Sequence, residues 1–126
     1  GVSPGATDRL LAACEEEGLP LLPGAATATE VMALLERGYT VQKFFPAEVS
    51  GGAPALAAIG APIPQVRFCP TGGIGPKNVG DYLALANVLC VGGSWVAPKD
   101  RVANGDWAGI TALARTAAAL SRPARG

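Results

Sequence analysis

One lysine stands out by its surroundings, in the run Thr40-Val41-Gln42-Lys43-Phe44-Phe45-Pro46. The β-branched and aromatic residues predict a strand that Pro46 ends. Side chains alternate along a strand, so Val41, Lys43 and Phe45 share one face while Gln42 and Phe44 take the other. A charged lysine among apolar neighbours costs roughly several kcal/mol in desolvation unless it is paired or neutral. Burial lowers an amine's pKa, and a neutral amine is a nucleophile toward carbonyl carbons. This pattern predicts a buried, reactive Lys43. The competing reading, on spacing alone, is a lysine at a strand rim with its head in water.

Two glycine pairs follow two later strand-like runs: Pro70-Thr71-Gly72-Gly73 and Val91-Gly92-Gly93-Ser94. Paired glycines leave backbone N–H groups free to meet an oxyanion. One such pair commonly marks only a turn. Two on successive strands, one carrying a serine, point to a phosphate site. Thr71 has a hydroxyl able to hold a carboxylate or a hydroxyl, or else to cap its own turn. Glu48 is close enough to Lys43 in sequence to suggest a base, but it reads better as a helix cap or a solvent-facing acid. Arg67 alternates with apolar strand residues and is expected to pair with an acid. Trp95 and Trp107 read as packing residues, and Cys14, Cys69 and Cys90 as reduced core thiols.

The elements that must position these residues alternate short apolar runs with helical segments. Val2-Ser3 is the stub of a strand, followed by a helix over Thr7–Glu17 with Gly18 past its end. A strand at Leu19–Leu22 leads to a turn at Pro23-Gly24, and Thr27-x-x-Glu30 opens a helix closed by Gly38. After the Thr40–Phe45 strand, Pro54 starts a short helix through Ile59. A strand at Val66–Cys69, a helix from Pro76 to about Leu85, a strand at Val88–Val91 and a helix capped by Asp106 to about Leu120 complete the chain. Residues 121–126 are expected to form a loose tail. Runs such as Val88-Leu89-Cys90-Val91 are apolar on both faces, as in parallel strands covered by helices. The repeat Ser3-Pro4-Gly5-Ala6-Thr7 and Leu22-Pro23-Gly24-Ala25-Ala26-Thr27 marks a βα unit of roughly 20–25 residues, which fits a (β/α)8, or TIM, barrel. A whole barrel needs about 200–250 residues. The 126 residues are therefore expected to be its C-terminal part, from the end of strand 4 through helix 8. In that frame every unusual residue lies after a strand, on the ligand-binding face.

Bulk properties narrow the classes of function. Apolar residues make up 49% of the chain and its formal net charge is zero, which fits a folded domain and disfavours nucleic acid or an acidic membrane surface as partner. No apolar run approaches the length of a membrane span. The absence of histidine removes the commonest general base and zinc ligand. The chain opens at Gly1 in what reads as a strand end, so further residues are expected before it.

The runs Ser3-Pro4-Gly5, Pro23-Gly24, Lys43-Phe44-Phe45-Pro46-Ala47-Glu48, Arg67-Phe68-Cys69-Pro70-Thr71-Gly72-Gly73-Ile74 and Gly92-Gly93-Ser94-Trp95 come in an order that resembles the KDPG/KHG aldolases. The resemblance covers the chain to about Leu120. It implies a class I aldolase, a homotrimer needing no metal or other cofactor; the reading of the three cysteines as reduced thiols makes the expected location cytoplasmic. Such an enzyme cleaves 2-dehydro-3-deoxy-6-phosphogluconate to pyruvate and glyceraldehyde 3-phosphate. Many members also split 4-hydroxy-2-oxoglutarate to pyruvate and glyoxylate. By the same resemblance Lys43 is the Schiff-base lysine, and Pro4 and Phe45 touch the substrate. Thr71 lies near the pyruvyl carboxylate, and Gly72, Gly73, Gly92, Gly93 and Ser94 hold the phosphate.

The family's first three strands and most of its fourth have no counterpart in this sequence. The general-base glutamate, an arginine and a threonine of the family's substrate site lie in that part, and Glu48 does not match the base. The expectation is a poor aldolase in isolation, with open strand edges prone to pairing. A non-catalytic half barrel that keeps a phosphate site is the alternative. Other phosphate-binding barrels, such as sugar-phosphate epimerases or thiamine-phosphate-type synthases, would fit the glycine loops but not the Lys43 run.

Overall fold

The structure, a computed structural model, describes residues 1–120; the expected tail at 121–126 lies outside the described residues. The helix starts follow from side-chain caps. Thr7 Oγ1 accepts from the Leu10 N–H at 3.2 Å and opens α1 (Asp8–Glu16). Thr27 Oγ1 accepts from the Glu30 N–H at 3.2 Å and opens α2 (Ala28–Glu36). The Glu30 carboxylate closes the box one residue early, accepting from the Ala26 N–H at 3.1 Å and from the Thr27 hydroxyl at 3.0 Å. Gly18 and Gly38 follow these helices with positive φ, as the sequence predicted. Each helix buries one apolar stripe, Leu11 and Cys14 on α1, Val31 and Leu34 on α2. The ends of the two helices are tied by Arg37, which donates to Glu15 at 2.9 and 3.2 Å.

The core is a parallel sheet of β1 (Gly24–Ala25), β2 (Val41–Phe44) and β3 (Arg67–Pro70), neighbours in chain order. Isolated parallel bridges extend it on both sides, Val2 to Leu22 before and Phe68 to Val88 and Thr71 to Gly92 after. Between β2 and β3 runs α3 (Gly52–Gly60), and after β3 comes α4 (Val79–Leu83). Gln42, Phe44, Phe68, Val66 and Val88 are fully buried, together with Val31, Leu56 and Tyr82 of the helices. The other face of β2 is more open: Val41 is 39% exposed, and Lys43 and Phe45 are half-buried.

Several expected boundaries shift. The Leu19–Leu22 strand moves toward Gly24–Ala25, with only a bridge at Leu22. Its Gly24 matters because a Cβ there would overlap the Pro4 carbonyl carbon and oxygen; two chain backbones cross at that point. The helix expected from Pro54 starts earlier, at Gly52. The one expected from Pro76 shortens to Val79–Leu83, because Asn78 spends its side chain bracing the preceding loop. The Val88–Val91 strand reduces to isolated bridges. Two elements were not foreseen, a 3₁₀ turn at Ser94–Val96 and α5 (Lys99–Ala103). The last helix, α6 (Trp107–Ala118), is capped by Asp106, which accepts from the Gly109 N–H at 2.9 Å.

Trp107 corrects its expected packing role. It is 63% exposed, at the first turn of α6, whereas Trp95 packs against the core.

Gly24→Ala tests the backbone crossing. It is expected to cost about 1–3 kcal/mol, as overpacking against rigid backbone does, read as a lower urea midpoint at unchanged slope.

Candidate active site

Lys43 is the third residue of β2, and the burial of its neighbours decides where it points. The Gln42 amide donates to the Val31 carbonyl at 3.1 Å and the Tyr39 carbonyl at 3.0 Å, which anchors that side of the strand to α2. With Gln42 and Phe44 held beneath the helices, alternation sends Lys43 to the opposite face. There its ammonium lies 4.6 Å from the centroid of the Phe45 ring, in cation–π range. The expectation of a fully buried amine is corrected. Lys43 is only half-buried, because among the described residues the helices cover one face of β2 and leave its own face partly open.

Strand register assembles the other groups around it. Lys43 pairs with Cys69, and Phe44 with Pro70. Thr71, two residues beyond Cys69, lies on the same face toward the C-terminal end of the strand. Its hydroxyl is close enough to Cys69 to lower that thiol's pKa, and its side chain packs on Gly92, where a Cβ would approach Thr71 Oγ1 to 2.6 Å. Cys69 is buried and Cys90, near enough to raise its pKa, is exposed. The reading of Cys90 as a core thiol is therefore corrected, since the sheet shrinks to single bridges around it. Burial first, and then the Cys90 thiol, push the Cys69 thiol up to about 11, while the Thr71 hydroxyl and the Lys43 charge pull it down.

The glycine loops sit at the strand exits. Gly72 and Gly73 have φ of 106° and 74°, a left-handed pair that side-chain-bearing residues rarely adopt. The turn closes against the exit of β2: Ala47 N–H donates to the Thr71 carbonyl at 2.8 Å and Glu48 N–H to the Gly72 carbonyl at 3.1 Å. A Cβ on Gly72 would meet the Phe45 ring at 3.4 Å, so the ring borders both the amine and the first glycine loop. The Phe45–Pro46 peptide is cis. Asn78 braces the far side, accepting from the Gly75 N–H at 2.8 Å and donating to the Gly73 carbonyl at 3.0 Å. In the second loop the Trp95 ring lies over Gly93, and Ser94 opens the 3₁₀ turn with its side chain exposed. Among the described residues, no protein acceptor meets the N–H of Gly72, Gly73, Gly93 or Ser94. Pro4 is exposed at the rim, where its carbonyl meets Gly24.

Glu48 has a structural partner that its neighbourhood in sequence did not reveal. The buried Tyr82 of α4 donates its hydroxyl to Glu48 Oε1, and burial together with that bond pushes the tyrosine's pKa far above its usual value. The Glu48 stem lies under Gly73, where a Cβ would come within 2.7 Å of it. Glu48 thus holds the glycine turn against α4. Arg67 corrects its expected pairing as well: its guanidinium donates to the Ala86 carbonyl at 2.7 Å, not to an acid. Among the described residues, no group of three or more Cys, Asp or Glu could hold a metal ion, and no helix is long and apolar enough to cross a membrane.

A parallel α/β sheet with a lysine in mid-strand and glycine turns at its exits defines a class of small-molecule site, and comparison specifies the family. Residues 1–113 match the KDPG and KHG aldolase family, and the chain belongs to it. It is 53% identical over 116 residues to the 2-dehydro-3-deoxy-phosphogluconate aldolase of Pseudomonas aeruginosa, covering 92% of this chain and 53% of that protein. It is 54% identical over 116 residues to the KHG/KDPG aldolase of Escherichia coli, covering 92% and 54% respectively. Among solved structures, the KDPG aldolase of Legionella pneumophila, with pyruvate captured as a covalent carbinolamine, superposes with a TM-score of 0.88 at 49% identity, over 92% of this chain and 56% of that one. The Zymomonas mobilis enzyme gives 0.87 at 48% identity, over 98% and 59%. The chain spans about half the length of the curated relatives it matches.

Tyr82→Phe is expected to cost about 1 kcal/mol, as loss of a net-stabilising hydrogen bond does. In a double-mutant cycle, Glu48→Ala should then cost less on top of Tyr82→Phe than alone, measured by urea unfolding.

Proposed function

We propose that this chain supplies the imine-forming and phosphate-binding half of a class I aldolase acting on a phosphorylated 2-keto-3-deoxy acid. The reading extends to a (β/α)8 barrel in which the open face of β2 is part of the interior. The single observation that carries it is Lys43 on the face shared with Thr71 and, through the β3 exit, with the Gly72-Gly73 turn.

The chemistry follows from that placement. The lone pair of Lys43 Nζ adds to the C2 ketone, and loss of water leaves a protonated imine, an electron sink next to C3. The C3–C4 bond breaks as a base takes the C4 hydroxyl proton. Pyruvate leaves the amine after the enamine is protonated and the imine hydrolysed. Thr71 orients the pyruvyl carboxylate, and Phe45 and Pro4 border the substrate. The N–H groups of Gly72, Gly73, Gly93 and Ser94, with the serine hydroxyl, receive the phosphate at the other end of the substrate. Glu48 is not assigned as the base, because Tyr82 holds its carboxylate against α4. Imine formation with pyruvate needs only the amine and its surroundings, whereas carbon–carbon cleavage also needs the base. The Escherichia coli relative's name joins KHG to KDPG, which extends the substrate class to 4-hydroxy-2-oxoglutarate.

Incubation with pyruvate and borohydride, followed by peptide mapping, tests the reading. A carboxyethyl group is expected on Lys43, absent in Lys43→Met, with pyruvate release from the phosphorylated substrate slower than in full-length relatives. A folded chain that carries no adduct on Lys43 would contradict the proposal and favour a non-catalytic half barrel.

A further inference from the structure

Cys69 and Cys90 have no part in the chemistry above, yet they lie together on the wall of the Lys43 site. The strand pairing brings them there. Phe68 bridges Val88 and Thr71 bridges Gly92, with the Leu89 N–H on the Phe68 carbonyl and the Gly92 N–H on the Pro70 carbonyl, both at 2.9 Å. Between the two bridges β3 advances from 68 to 71 while its partner advances from 88 to 92. The extra residue is a bulge, and a bulge re-aims side chains. It turns Cys90 to the side that Cys69 occupies, close enough for the Cys90 thiol to raise the pKa of Cys69. Both are free, one buried and one exposed.

We propose that Cys69 and Cys90 form a dithiol beside Lys43 that closes to an intramolecular disulfide by exchange with a small-molecule disulfide such as glutathione disulfide. The exposed Cys90 thiolate attacks one sulfur of glutathione disulfide and expels one glutathione thiolate, leaving a mixed disulfide on Cys90. The Cys69 thiolate then attacks the Cys90 sulfur and expels the second glutathione. Two protein thiols are oxidised, one glutathione disulfide is reduced to two glutathiones, and the two thiol protons end on the expelled thiolates. The order of attack follows from exposure. Capping Cys90 also removes its share of what keeps Cys69 protonated, leaving burial opposed by Thr71 and Lys43. The first step thus prepares the second. Closure links β3 to the segment that bridges it at Val88 and Gly92, fixing two parts of the site wall to each other.

The inference does not rest on the imine reading, and its test reads thiols, not catalysis. Trypsin places Cys69 in peptide 68–77, Cys90 in 78–99 and Cys14 in 10–37, so each thiol reports separately. After treatment of the native chain with glutathione disulfide, the expected product is lighter by two hydrogens, joins peptides 68–77 and 78–99, and leaves Cys14 reduced. Cys69→Ser should instead retain glutathione on Cys90, since no thiol remains to expel it. Cys90→Ser should react far more slowly, because the buried thiol alone remains at the site. Stable glutathione on Cys90 of the native chain, cross-links to Cys14, or no reaction at either thiol would overturn the proposal.

Discussion

Gln42 and Phe44 must lie beneath the helices, and the rest of the site depends on that constraint. Phe44 is fully buried and Gln42 is tethered through its amide to two carbonyls. A shift of one residue would move Phe44 out of the core and turn Lys43 into it. Burial of an unpaired ammonium and loss of an aromatic core contact would both oppose the slip. The apolar core therefore sets the direction of the polar residue. Parallel pairing then carries the direction to the next strand, placing Cys69 beside Lys43 and Thr71 beyond both.

A second layer of constraint joins the exits of β2 and β3. The Ala47 and Glu48 N–H groups are bonded to the Thr71 and Gly72 carbonyls, and Tyr82 and Asn78 hold the outer side of the same turn. The amine strand and the first glycine loop are consequently tied to each other. That coupling suits chemistry in which the ketone and the phosphate belong to one substrate and must be held a fixed distance apart.

Local features were legible in the sequence. Thr27 and Asp106 cap helices as the sequence predicts, the helix expected from Thr7 starts one residue later with Thr7 as its cap, and the two faces of β2 follow from simple alternation. Long-range features were not. Tyr82 meets Glu48 across 34 residues, and nothing in either neighbourhood marks the pair. The apolar run 88–91 promised a continuous strand, but a bulge breaks the pairing and exposes Cys90. Lys43 looked buried because its neighbours in sequence are apolar, but Gln42 and Phe44 face away from it and cannot cover it. The proposed substrate class rests on family resemblance and not on the residues alone, because glycine loops serve many phosphate-binding barrels.

The most direct measurement is a crystal structure of this chain soaked with pyruvate. The account predicts continuous density from Lys43 Nζ to C2 of the ligand, with the carboxylate toward Thr71. Pyruvate seated elsewhere, or Lys43 left unmodified with the amine turned away from Thr71 and the Gly72-Gly73 turn, would contradict it.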